Sequence, residues 1–116
     1  AGLKIIMEYI AVIAGRDKKD NNLQNSEINV THNMERKQFE IHIDTHMAEL
    51  AYYINGNVIT FTHTGVPSAL EGQGIGGKLV KAGLQYARDN HLKVQSTCWF
   101  VSGYIDRHPE VQDLTG

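Results

Sequence analysis

The segment Leu70-Glu71-Gly72-Gln73-Gly74-Ile75-Gly76-Gly77 decides how the chain folds, because the hydropathy pattern changes period across it. Ahead of it, Phe39, Ile41 and Ile43 alternate with Gln38, Glu40 and His42, the period of a half-buried strand. Asp44-Thr45 turns this strand into a second, Ala48 to Ile54. Asn55-Gly56 then supplies a tight turn into a third, Val58 to Thr62, expected to carry Ile59, Phe61 and His63 on one face. Pro67 has no amide hydrogen and ends the ladder. Behind the glycines, Lys78 to Asn90 has helical spacing, with Ile75, Leu79, Gly83 and Tyr86 or Ala87 recurring at threes and fours. Lys93 to Phe100 returns to alternation, placing Val94, Ser96, Cys98 and Phe100 on one side. Val101 to Arg107 is expected as a short helix closed by His108-Pro109. Three hairpin strands, a glycine turn, a helix, a strand and a short helix make a small α+β domain.

The chain has 116 residues, enough for one domain, with 41% hydrophobic and 21% charged residues. A single cysteine, Cys98, excludes an internal disulfide and a multi-cysteine metal framework. The net charge of -2 argues against a nucleic-acid binder, which carries a basic face. The apolar run Leu3 to Ala14 is too short for a membrane span and is interrupted by Lys4 and Glu8. Residues 1–27 are expected to be an N-terminal extension and polar connector, and 28–116 the compact domain. With no clear signal-peptide cleavage site, the expected location is cytoplasmic. His42 and His46 lie in strand and turn, where helical ligand spacing does not apply, so no metal site is expected. Trp99 and the tyrosines are expected in core elements.

Gly72, Gly74, Gly76 and Gly77 lie between a strand and a helix. Bare backbone lets amides converge, and the first turn of a helix leaves its amide hydrogens unpaired, so the segment suits a phosphate, with Lys78 at the rim. A flexible turn followed by close helix packing also fits. A P-loop is excluded because Leu79, not Ser or Thr, follows Gly77-Lys78. A dinucleotide fold is excluded because an antiparallel meander, not a βαβ unit, precedes the glycines.

Further motifs surround this segment: Asn33, Phe39-Glu40, Phe61-Thr62-His63-Thr64-Gly65-Val66-Pro67, Cys98, and Phe100-Val101-Ser102-Gly103-Tyr104-Ile105-Asp106-Arg107-His108-Pro109. Taken together, they resemble the short, single-domain branch of the GNAT superfamily of acetyl-CoA-dependent N-acetyltransferases, over about Ile28 to Leu114. The superfamily signature, Arg/Gln-x-x-Gly-x-Gly/Ala, has its fixed positions at Glu71, Gly74 and Gly76, and departs at the first. Ser96 stands where that branch has a proline two residues before the cysteine.

The resemblance implies a GNAT-like fold, a mostly antiparallel mixed sheet with a central helix after the glycine-rich loop. It also implies acetyl-CoA as cofactor. Gly72, Gln73, Gly74, Ile75, Gly76, Gly77 and Lys78 would hold its pyrophosphate, and Thr64 and Val66 would flank the pantetheine arm. The implied acceptor is an amine, on a small molecule or a protein, with a homodimer as one way to complete a shallow acceptor groove. His63 is the candidate proton acceptor, since imidazole titrates near neutrality, and a satisfied structural histidine is its alternative. Tyr104 is the candidate proton donor to the leaving thiolate. Cys98 stands near the acetyl end, where a thiolate could carry acetyl, or simply fills the core. The leading expectation is an N-acetyltransferase. Behind it stand a CoA or acyl-CoA-binding module and a thiol-based carrier or redox protein.

Overall fold

A computed structural model describes residues 28–116, and the expected extension and connector at 1–27 lie outside the described residues. Five strands, β1 (Thr31–Asn33), β2 (Gln38–Ile43), β3 (His46–Asn55), β4 (Val58–Gly65) and β5 (Lys93–Ser96), form one sheet in that order. The first four pair antiparallel and β5 lies parallel to β4. Parallel neighbours need a crossover, and helix α1 (Ile75–Asp89) makes it. Helix α2 (Trp99–Arg107) follows β5, and a 3-10 segment, Pro109–Thr115, packs against both. This is the mixed, mostly antiparallel α+β fold expected from the sequence.

One face of the sheet builds the core. Phe39, Ile41, Leu50, Ile59 and Phe61 are buried beneath Leu79, Val80, Leu84 and Ala87 of α1. Gly83 permits this approach: a Cβ there would stand 2.8 Å from Phe61 Cε1 and 3.1 Å from Leu50 Cδ2. The β2–β3 turn is Asp44-Thr45 as expected, with Asp44 at φ 55°. The next turn is shifted by one residue from the expected Asn55-Gly56. Asn55 pairs with Val58, so Gly56 and Asn57 form the loop, and Gly56 takes the positive φ of 62°.

Two departures from the expected strands shape the site. The first is in β4, which continues past Thr62 to Gly65. Tyr52 pairs with Phe61 and Ala51 with His63, so Thr62 is an extra residue, a bulge that reverses the inside–outside phase. His63 therefore does not share the face of Ile59 and Phe61, and Thr64, opposite the buried Leu50, turns inward in its place.

The second is in β5, which ends at Ser96 rather than extending to Phe100. The Cys98 amide donates to Ser96 Oγ at 3.2 Å, and Ser96 Oγ donates back to the Cys98 carbonyl at 2.9 Å. This two-way bond bends the chain, and Cys98 becomes the N-cap of α2, accepting the Ser102 amide at 3.0 Å. Cys98 and Phe100 thus belong to a helix start, not to one alternating strand. The three residues of β1 carry too little alternation to mark a strand in the sequence. Helix α1 begins at Ile75, one turn ahead of the expected Lys78.

Candidate active site

The last hydrogen bond joining β4 to the chain leaving β5 runs from the Thr97 amide to the Phe61 carbonyl at 3.0 Å. Beyond it the parallel neighbours part: β4 continues through its bulge, while the other chain bends into α2. A cavity of about 620 Å³ opens there. Thr62, His63, Thr64 and Val66 form one wall, the glycine loop and first turn of α1 a second, and Thr97 to Phe100 a third.

The glycine wall is a donor cradle. Gly72 and Gly74 have φ of 85° and 72°, a region that side-chain-bearing residues rarely enter, and Gly74 is the N-cap of α1. The Lys78 amide bonds the Gly74 carbonyl at 3.1 Å, so the amides of Ile75, Gly76 and Gly77 precede that first turn's bond. No side chain caps them and no acidic residue lies in the first turn. Gly76 has a second duty, because a Cβ there would be 2.8 Å from Phe100 Cζ. The two helix starts therefore meet across bare backbone.

Cys98 is buried at the opposite wall, with its Sγ 3.4 Å from Thr64 Oγ1. Burial alone pushes this thiol up. Hydrogen bonds from the Thr64 hydroxyl and from the amides of Val101, Phe100 and Thr64 outweigh it, and the thiol lies below its ordinary value. His63 is exposed on the same cavity, with Nε2 3.3 Å from Glu49 Oε2.

Thr64, Val66, Gly72, Gly74, Ile75, Gly76 and Gly77 thus line one cavity with His63 and Cys98, whereas Gln73 and Lys78 do not reach its wall. Tyr104 does not line this cavity, but its ring lies behind the cradle, with Cε2 4.0 Å from where a Cβ of Gly77 would stand. Its ring stacks on His108 at 3.8 Å and borders a separate cavity of about 360 Å³ with Lys81, Arg88 and Glu110. Burial, and secondarily Glu110, raises its phenol. His108 also bonds the Tyr104 carbonyl through Nδ1 at 2.7 Å, and so ties down the tail. Contrary to expectation, Trp99 is not a core residue: it is 84% exposed at the cavity edge. Its only signal in the sequence was a lone aromatic beside the cysteine. Glu49 carried no signal, since its nearness to His63 depends on the bulge.

A profile described as GCN5-related N-acetyl-transferase matches residues 38–114, which span β2 to the C-terminal segment. The chain belongs to this family. Protein NATD1 of Mus musculus is 34% identical over 94 residues, covering 78% of this chain and 86% of the mouse protein. Protein NATD1 of Homo sapiens is also 34% identical over 94 residues, and 83% of it is covered. The solution structure of a GCN5-like protein from Staphylococcus aureus has a TM-score of 0.62 and 34% identity, over 77% of this chain and 88% of that one.

Acetyl-CoA-dependent acetyl transfer is the activity this GCN5-related membership supports. The residues present fit such a donor: an uncapped cradle of helix-start amides suits a pyrophosphate, and the parting of β4 and β5 suits an extended arm. Glu71 stands where the family signature has Arg or Gln. It lies on the cavity wall, with its amide bonded to the Ser68 carbonyl at 3.2 Å.

Proposed function

We propose that this chain is an N-acetyltransferase that moves an acetyl group from acetyl-CoA to a primary amine, on a small molecule or a protein lysine. The observation that carries this is the single cavity joining the α1 amide cradle to Thr64, His63 and Cys98 where β4 and β5 part. Acetyl-CoA supplies the activated thioester. The amides of Ile75, Gly76 and Gly77 hold its phosphates, and Thr64 to Val66 flank the arm, where a backbone amide polarises the carbonyl. An amine attacks only when neutral, so a proton has to leave it. His63 is the imidazole on the cavity wall and receives that proton.

The experiment is calorimetric titration with CoA, followed by assay of CoA release from acetyl-CoA over a panel of primary amines. Binding with amine-dependent release supports the proposal. Absence of binding at millimolar CoA overturns it, and binding without release leaves a CoA-binding module. Cys98 also fits a two-step route, in which its thiolate takes the acetyl group and passes it to the amine. The lowered thiol favours that route. Full turnover in Cys98→Ala would exclude it.

A further inference from the structure

We propose that Glu49 is a positioning residue for His63: it fixes which imidazole nitrogen is free to take the acceptor's proton. The inference rests on the proton-acceptor role given to His63 above, and it starts from the bulge. In an unbroken β4, His63 would lie on the core face with Phe61. The extra Thr62 turns it onto the open face, beside Ala51, and there Glu49 of β3 reaches it. Glu49 Oε2 stands 3.3 Å from His63 Nε2.

Two neighbours leave Glu49 aimed at His63. Glu40 lies directly opposite it on β2, but Glu40 is engaged by Asn33 Nδ2, Gln38 Nε2 and His42 Nε2, at 3.0, 2.6 and 2.8 Å. Like charges placed directly opposite disfavour each other, so Glu49 gains by turning away from Glu40. On its other side Glu49 pairs with Gly65. A Cβ at that position would be 2.6 Å from Glu49 Oε2 and 3.1 Å from His63 Nε2. Gly65 has no positive φ to explain its being glycine. The space it leaves is filled by the Glu49–His63 contact.

The chemistry follows from the charge of Glu49. The contact is a charge pairing rather than a hydrogen bond, and a negative carboxylate beside Nε2 favours the neutral imidazole with its hydrogen on Nε2 and its lone pair on Nδ1. The acceptor amine's proton then goes to Nδ1. Both nitrogens of the resulting imidazolium carry hydrogen, and the carboxylate partners the new positive charge without taking a proton itself. A glutamine at position 49 can accept or donate, and so no longer selects the tautomer.

The test uses the full 116-residue chain, in Glu49→Gln, Glu49→Asp and Gly65→Ala forms. Imidazole 15N shifts of neutral His63 are expected to report the Nε2–H form in the wild type and a tautomer mixture in Glu49→Gln. Glu49→Gln is expected to lose about tenfold in kcat, with KM for acetyl-CoA unchanged and partial recovery in Glu49→Asp. Gly65→Ala, which displaces the carboxylate, should lose a similar factor and add little to Glu49→Gln in the double variant. Unchanged 15N shifts in Glu49→Gln would overturn the proposal, and so would an unchanged kcat. Should the wild type acetylate no amine, the proton-acceptor role would fall, and the 15N comparison would still decide the positioning claim.

Discussion

Thr64 Oγ1 and Cys98 Sγ meet at 3.4 Å across the gap where β4 and β5 part, Thr64 delivered there by an irregularity within β4 and Cys98 by the turn that ends β5. The Thr62 bulge turns Thr64 inward, and the Ser96 turn brings Cys98 to the head of α2. A hydroxyl donating to sulfur favours the thiolate, so removing it moves the thiol upward. Thr64→Val is therefore expected to shift the pH profile of Cys98 alkylation to higher pH, slowing alkylation severalfold near neutrality. The wild-type profile should lie below that of free cysteine. Superimposable profiles for the two proteins would sink the assignment.

Gly76→Ala tests the contact between helix starts. A Cβ 2.8 Å from Phe100 Cζ forces the ring or the α1 backbone to shift, and such overpacking costs about 1–3 kcal/mol. The expected result is lower stability in urea together with weaker CoA binding, because the displaced backbone carries the donor amides. Phe100→Leu should recover part of both losses in the double variant. If Gly76→Ala binds CoA with unchanged affinity, Gly76 has no part in shaping the cradle.

Glu40, on β2 and outside the cavity wall, gives the fold an acid-sensitive point. It is 6% exposed, and the hydrogen bond from His42, then that from Gln38, holds its carboxyl below the usual 4.5 despite burial, with Asn33 adding to them. A depressed carboxyl contributes stability that is complete above its unfolded-state pKa and disappears as pH falls through the folded value. Glu40→Ala, which strands those donors, should cost about 1–3 kcal/mol at neutral pH. The difference between the two proteins should shrink on acidification. Urea unfolding at neutral and acidic pH measures it, and a difference independent of pH would remove the assignment.

The regular parts of this fold were legible in the residues, and the irregular parts that build the site were not. Alternation in Gln38–Ile43 and the threes and fours of Ile75–Ala87 reported real strand and helix faces, because each buries one side against the same core. Alternation then misled at both walls of the cavity. A bulge changes phase without changing composition, so His63 read as a core-face residue. Ser96 to Phe100 kept period two while the backbone left the sheet, since Trp and Phe suit strands and Cys98 is not a recognised cap type. Glu40 shows the same limit: its outward phase was right, yet three neighbouring side chains cover it. Glycine spacing located the cradle, while only three-dimensional pairing revealed Glu49 beside His63.

Glu71 offers the most direct test of the cradle, because the expected change is a gain. It is exposed and stands on the wall of the cavity proposed above to hold CoA, where a carboxylate would repel the phosphates. Replacing it with the arginine of the family signature removes one negative charge and adds a positive one near a helix N-terminus. An exposed ion pair is worth up to about 1 kcal/mol, or about fivefold in Kd. Glu71→Arg is therefore expected to tighten CoA binding by about fivefold at low ionic strength. The advantage should narrow as salt screens the charges. Stability should change little, since the Glu71 bond to Ser68 is made by its backbone amide and its side chain is exposed. Calorimetry across a salt series measures each of these. Equal or weaker binding of CoA to Glu71→Arg at low salt would mean that the phosphates do not lie beside this loop.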